Sequence, residues 1–122
     1  MKKLPILFSL LLISIFSNGQ SWLWAKACTS GKHGGADIIR MTADPSGNIF
    51  VIGGYEDSVS FGAQYLKTSN TWGNPFLAKY DNNGNFKWVV GANSDVNVSN
   101  FAFSLVTDNG SNTYVAGGFD DT

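Results

Sequence analysis

The sequence predicts an all-β protein, and three observations support that prediction. Short apolar runs alternate with clusters of Gly, Asn, Asp and Ser, which is the pattern of strands separated by turns. Aromatic residues make up 14% of the chain and charged residues only 14%, a composition that favours strands over helices. One segment also returns 64 positions later, so the same structural unit is expected twice.

The recurrence extends well beyond a single motif. Residues 24–58 and 88–122 align without a gap and are identical at eight of 35 positions. The identical pairs are Trp24/Trp88, Ser30/Ser94, Asp44/Asp108, Asn48/Asn112, Val51/Val115, Gly53/Gly117, Gly54/Gly118 and Asp57/Asp121. The conservative pairs in the same register are Phe50/Tyr114, Tyr55/Phe119, Glu56/Asp120 and Met41/Leu105. We infer that one supersecondary unit has been duplicated.

Each unit is predicted to contain four strands. Residues 36–43 alternate between two faces with a period of two, whereas residues 48–54 are apolar on both faces and are expected to be covered on both sides. The pair Gly53 and Gly54 is expected to end the second of these strands. The predicted strands are 36–43, 48–54, 76–80 and 86–91 in the first copy, and 100–107 and 112–118 in the second.

Three similar segments, DPSGN at 44–48, DNNGN at 81–85 and DNGSN at 108–112, lie between consecutive strands. Asp at the start of a turn accepts backbone N–H groups, and Gly or Asn takes the positive φ that a tight hairpin needs. The alternative is a calcium site, because alternating Asp and Asn supply oxygen ligands. None of the segments extends to the full ligand set with a distal Glu, so hairpin turns are favoured and no metal is expected.

Ahead of the first complete unit stands SWLWAKA, residues 21–27, which matches the last strand of a unit through Trp24. Four-stranded repeats with a covered inner strand and this offset start predict a partial β-propeller built from four-stranded antiparallel blades, about 1.6 repeats in all. The chain then divides into an orphan last strand with its loop at 20–34, a complete blade at 35–92 and the first half of the next blade at 93–122.

The ordered elements resemble the SBBP family of bacterial β-propeller repeats. The resemblance rests on the turn and strand from Asp44 to Gly54, the element VSFG at 59–62, NPFLAKYDNNGN at 74–85 and KWVVGA at 87–92. It implies turn and core roles for the recurring positions, and it implies no catalytic residue. It also implies more units than this chain holds, so we expect either a fragment of a longer propeller or a chain whose open strand edges find partners.

The first 19 residues are predicted to be a secretory signal peptide, with cleavage before Gln20. The apolar run 4–16 is shorter than the roughly 20 residues of a transmembrane helix, so an uncleaved anchor is the minor alternative. Six basic and nine acidic side chains then remain, a net charge of −3 that excludes an electrostatic nucleic-acid or membrane surface. Cys28 cannot form an intrachain disulfide, and we expect a buried structural thiol in a strand.

The sequence offers little catalytic chemistry. His33 is the only histidine and lies in the glycine-rich segment GKHGG, so a solvated loop residue is favoured over a general base. The carboxylate pairs Glu56/Asp57 and Asp120/Asp121 recur with the unit, which favours a structural origin over acid–base work. No cofactor motif is present, and we expect no enzymatic activity.

The segment from Tyr55 to Asn74 is the candidate functional surface, because a loop of about 20 residues inside a compact domain is usually functional or disordered. Tyr65, Trp72 and Asn70 are the candidate ligand-binding residues, since aromatic and amide side chains together recognise sugars and peptides. Tyr55 and Phe61 are expected to pack between blades instead.

These observations favour a non-enzymatic exported protein that acts as a binding or scaffold module, at the cell surface or outside the cell, with a glycan or a surface protein as its partner. Two alternatives remain open. The chain is part of a larger propeller hydrolase or lyase, or several copies close one propeller by pairing their open edges.

Overall fold

The computed structural model describes residues 21–70, 72–92, 94 and 98–120, so the predicted signal peptide lies outside the described residues. This part of the chain contains strands and no helix, which confirms the all-β class. It therefore holds no helix of the length and apolarity needed to cross a membrane. Its nine strands are β1 (Thr29–Ser30), β2 (Ala36–Ala43), β3 (Ile49–Tyr55), β4 (Ser58–Phe61), β5 (Gln64–Lys67), β6 (Asn74–Tyr80), β7 (Phe86–Gly91), β8 (Asn100–Thr107) and β9 (Thr113–Phe119).

The largest sheet is the four-stranded antiparallel sheet β2-β3-β6-β7, which we call the first unit. Its strands are the four predicted for the first copy of the repeat, and the bounds of β2 and β7 agree with the prediction to the residue. β6 begins two residues earlier than predicted, at Asn74. The β8–β9 hairpin is a separate two-stranded sheet, which we call the second unit.

The second unit reproduces the strand register of the first. β2 pairs with β3 at seven positions, and each of the seven β8–β9 pairs is the corresponding β2–β3 pair shifted by 64 residues. Both hairpins are interrupted by a one-residue bulge, at Ile39 in β2 and at Phe103 in β8. A bulge adds one unpaired residue and bends its strand. The duplication seen in the sequence is therefore a duplication of backbone geometry as well.

The bulge explains why the first glycine of each Gly pair is needed. A Cβ on Gly53 would collide with the carbonyl oxygen of Asp37, and a Cβ on Gly117 would collide with the carbonyl oxygen of Phe101. Gly54, by contrast, has ordinary space around it. The prediction that the glycines end the strand is wrong, because β3 continues through both of them. Gly53 instead allows the backbones to approach closely beside the bulge.

The segment between β3 and β6 is also more ordered than predicted. It contains the β4–β5 hairpin, closed by the two-residue loop Gly62–Ala63, and β1 adds to the free edge of β4. Gly62 has a φ of 79°, which suits a two-residue hairpin loop. The expectation of a 20-residue loop is therefore corrected to a small three-stranded sheet and its connections.

The first unit is covered on two faces. Its front face carries the cluster of Tyr55, Phe76 and Tyr80, onto which the β4–β5 hairpin packs through Val59 and Phe61. Its back face carries Phe50 and Ile52, with Leu77 and Trp88 packed against them. This two-sided burial of β3 confirms the expectation drawn from its apolar residues.

The second unit packs onto the back face of the first. Ala102 and Leu105 of β8 are buried in the same cluster as Phe50 and Ile52. The Thr107 hydroxyl donates to the carbonyl oxygen of Ala43 at 2.9 Å, which joins the two units at one end of β8. The front face of the second unit is the face that corresponds to the front face of the first unit. It packs onto the back face of the first unit.

The predicted strand at residues 21–27 is not observed, since the first strand starts at Thr29. A strand requires a hydrogen-bonded neighbour, whereas this segment contacts the sheet through side chains. Trp24 stacks on Tyr80 with ring centroids 6.2 Å apart and covers Gly84. Cys28 is likewise outside any strand, and its free thiol is half-buried rather than buried.

Candidate functional site

The three Asp-led turns share one hydrogen-bond pattern. In the first, Asp44 Oδ1 accepts the backbone N–H groups of Ser46 and Asn48 at 3.0 and 2.9 Å, and Oδ2 accepts the Asn48 amide at 2.8 Å. The same three bonds recur at Asp81 and at Asp108, with lengths of 2.8 to 3.0 Å. Each turn joins two antiparallel strands, so the prediction of hairpin turns is confirmed.

These bonds keep each carboxyl in its charged form. Hydrogen bonds to a carboxylate favour ionisation, and the pKa of all three groups lies below its usual range. The largest causes are the Asn48 amide at Asp44, the Lys87 ammonium at Asp81, 2.9 Å away, and the Asn112 amide at Asp108. Within the described ranges, no three His, Cys, Asp or Glu side chains converge to hold a metal. The carboxylates stabilise the turns by accepting these hydrogen bonds.

Asn70, a predicted ligand-binding residue, lies in the interior. Its amide nitrogen donates to the Val98 carbonyl oxygen at 2.8 Å and to Ser94 Oγ at 3.0 Å, and its oxygen accepts the backbone N–H of Trp72 at 2.9 Å. Asn74 shares a hydrogen bond of 2.7 Å with the Thr68 hydroxyl beside it. Asn70 therefore fixes the connection between the hairpin and β6, and its polar atoms are committed to the fold.

Trp72, the second predicted residue, is exposed at the edge of a groove between the two units. The groove has a volume of about 240 Å³, and its apolar walls include Ile39 and Phe101, while Asp37 and Asn100 contribute polar groups. The Asn70 side chain accepts the backbone N–H of Trp72 at 2.9 Å, which fixes the backbone from which the indole projects. Tyr55, Glu56, Gly73 and Asn74, from the segment predicted as the functional surface, also line the groove. Sequence reasoning missed its lining residues on β2 and β8, because the two units meet there only in three dimensions.

The third predicted residue, Tyr65, is exposed on β5 and does not line the groove that contains Trp72. The structure therefore does not bring the three predicted residues together as one surface. Tyr55 and Phe61 are buried as expected, and both pack on the front face of the first unit, where Tyr55 also lines the groove between the units. The Phe61 ring lies 5.0 Å from Phe76 and 5.8 Å from Phe86, measured between centroids.

His33, Glu56 and Asp57 line one open cleft of about 260 Å³ together with Thr68 and Asn70. His33 and Glu56 are exposed, in agreement with a solvated loop. Asp57 adopts a positive φ of 57° in the connection between β3 and β4. The corresponding pair in the second unit includes Asp121, which lies outside the described residues.

In comparisons with known proteins, the chain matches no protein-family model, no curated protein and no solved structure.

Proposed function

We propose that the chain is an exported, non-enzymatic repeat protein that binds a glycan or a surface protein, or serves as a scaffold, at the cell surface or outside the cell. The observation that carries the proposal is the groove at Trp72, which is formed jointly by the two units. Proteins built from stacked repeats use the concave surfaces that the stacking creates as binding surfaces.

We further propose that the two units are β-propeller blades of the kind found in the SBBP repeats, which the sequence resembles. Support comes from the four-stranded antiparallel order β2-β3-β6-β7, which is the composition of a propeller blade. Further support comes from the second unit, which starts with the same register and stacks on the back face of the first. Turns and core positions account for the recurring residues, so we assign them no catalytic step.

The chemistry of the groove favours a glycan over a purely apolar ligand. An exposed indole offers a flat apolar surface for the C–H face of a sugar ring, and carboxylate and amide groups bind its hydroxyls. Trp72 supplies the first element, and Asp37, Glu56 and Asn100 supply the second. The acidic groups also disfavour an anionic ligand.

A titration with oligosaccharides of glucose, N-acetylglucosamine and mannose, followed by NMR, tests the proposal. Trp72→Ala is expected to raise the dissociation constant at least about tenfold, since exposed aromatic anchors dominate small interfaces. Trp22→Ala is the matched control, because Trp22 is also exposed but does not line the groove. Equal binding by the Trp72 variant, or no binding of any of the three sugars, would remove the glycan assignment.

The Tyr65 prediction is tested in the same titration. A loss of affinity with Tyr65→Ala would extend the site onto β5, and unchanged affinity would confine it to the groove. Export is tested separately by N-terminal sequencing of the protein recovered outside the cell, where we expect a chain that begins at Gln20. A chain that still begins at Met1 would contradict cleavage.

A further inference from the structure

Four residues form the buried cluster at the contact between the two units, and their equivalents 64 residues away are all exposed. On the second unit, Ala102 and Leu105 are 3% and 8% exposed, whereas their first-unit equivalents Ile38 and Met41 are 54% and 63% exposed. On the first unit, Phe50 is 2% exposed, whereas its equivalent Tyr114 is 57% exposed.

The fourth position behaves in the same way. Ile52 is fully buried in the contact, and its equivalent, Ala116 of β9, is exposed. The part of the first unit's front face at Ile38 and Met41, which the β4–β5 hairpin leaves exposed, is therefore one half of a contact that the molecule already makes once inside itself. The back face of the second unit is the other half. Both halves expose apolar side-chain surface, and on the back half the Tyr114 hydroxyl donates to Asp108 Oδ2 at 3.1 Å while its ring is exposed. Covering apolar surface lowers the free energy.

The exposed front half borders a groove. Its volume is about 360 Å³, and its walls include Trp24, Cys28, Ile38, Met41 and Val51. This volume falls in the range that takes a small ligand, so one aromatic side chain fits within it. In the internal contact, Phe50 is buried in one cluster with Ala102 and Leu105, the equivalents of Ile38 and Met41. On the exposed back half, the corresponding side chain is Tyr114.

We propose that a second copy of this chain docks here, with Tyr114 and Ala116 of one copy against Ile38 and Met41 of the next. The occupant is a second copy because the chain itself carries the surface that the groove matches, in the register of the internal contact. The contact joins two different faces, so it is head-to-tail. Such contacts extend from copy to copy and give rings or filaments instead of stopping at a two-fold dimer.

Two charge substitutions test the proposal in the full chain. Met41→Asp places a charge on the front half, and Tyr114→Asp places one on the back half. By sedimentation velocity over a series of concentrations, the wild-type mass is expected to rise beyond that of a dimer. Each variant alone is expected to stay monomeric, with its dissociation constant raised at least about tenfold. Tyr65→Asp, at an exposed residue that does not line the groove at Ile38 and Met41, is expected to assemble like the wild type.

Mixing the two variants gives the decisive result. Met41→Asp keeps an intact back half and Tyr114→Asp keeps an intact front half, so the mixture is expected to form a one-to-one dimer and nothing larger. Circular dichroism spectra that match the wild type establish that the variants are folded. A wild-type chain that is monomeric at every concentration would overturn the proposal, as would a single variant that still dimerises. Neither half includes Trp72, so this result and the glycan result stand independently.

Discussion

The β2–β3 and β8–β9 hairpins share one register, one bulge and one obligatory glycine, yet they differ in what covers them. Phe50 of β3 is buried between two sheets, while Tyr114, at the same position of β9, faces solvent. Register is therefore a property of the local sequence, set by the Asp-led turn and by the glycine beside the bulge. Burial is a property of the neighbouring sheet, which the β2–β3 hairpin has on its back face and the β8–β9 hairpin lacks among the described residues.

The largest expected difference between the hairpins lies in their aromatic residues. Phe50→Ala removes a ring from a cluster that joins the two units, and we expect the free energy of unfolding to fall by about 3–5 kcal/mol. Tyr114→Ala removes an exposed ring, and the loss in dilute solution should stay within about 1 kcal/mol. Urea unfolding of both variants measures the difference. Equal losses would contradict the burial that separates the two hairpins.

The next largest loss in the free energy of unfolding is expected at Gly53, the glycine beside the bulge. Gly53→Ala introduces a methyl group where the Asp37 carbonyl oxygen and the Phe76 ring already lie, and we expect a loss of about 3 kcal/mol. Gly54→Ala is the matched control, because a Cβ there meets no atom closer than 4.0 Å. Its effect should be within about 0.5 kcal/mol. The assignment of Gly53 to the bulge would fail if both alanine variants had the same stability.

A smaller contrast separates the two turns at the same end of the hairpins. Gly47 in the first turn has a φ of 79°, and its equivalent Ser111 has a φ of 62°, where a residue with a Cβ is strained. The Ser111 side chain also forms a hydrogen bond with Asp44 of the other unit. Ser111→Gly relieves the strain but removes the bond, so we expect a net change within about 0.5 kcal/mol.

A substitution at the equivalent position of the first turn sharpens this contrast. Gly47→Ala adds the strain with no new bond, and we expect it to lower the free energy of unfolding by about 1 kcal/mol. Thermal unfolding of the two variants under one set of conditions compares them. A clear gain in stability from Ser111→Gly would show that the bond to Asp44 contributes nothing.

The turns also predict a modest pH dependence. Asp44, Asp81 and Asp108 have pKa values below the usual range, so their hydrogen bonds contribute stability at neutral pH. A group whose pKa is lower in the folded state loses this contribution as the pH falls. We expect the melting temperature to decrease between about pH 5 and pH 2 as these groups take up protons. A melting temperature that is constant over this range would mean that the turns do not depend on charged carboxylates.

Much of the sheet order could be predicted from the sequence because its signals are local. The period-two pattern and the Asp-led turns delimit β2 and β7 within the chain itself. The β4–β5 hairpin had a signal too, since Gly62–Ala63 separates two alternating runs. The bulge at Ile39 had only an indirect signal, Gly53 on the neighbouring strand, because Ile39 and its neighbours in β2 read as a regular strand.

The candidate site was less predictable, because its residues meet across long stretches of chain. Trp72 was expected at a surface and is found there. Asn70 was expected beside it, but its partners Ser94 and Val98 are 24 and 28 residues further along the chain and draw its side chain inside. The exposure of Ile38 and Met41 depends on which face the second unit covers, which no local pattern encodes.

The central claim is that the second unit packs its front face onto the back face of the first. A double-mutant cycle between Phe50→Ala and Leu105→Ala, measured by urea unfolding in dilute solution, tests it most directly. Because both side chains belong to one buried cluster, the two losses are expected to be non-additive by at least about 1 kcal/mol. Additivity within about 0.5 kcal/mol would mean that the two side chains do not share a contact, and it would contradict the claim.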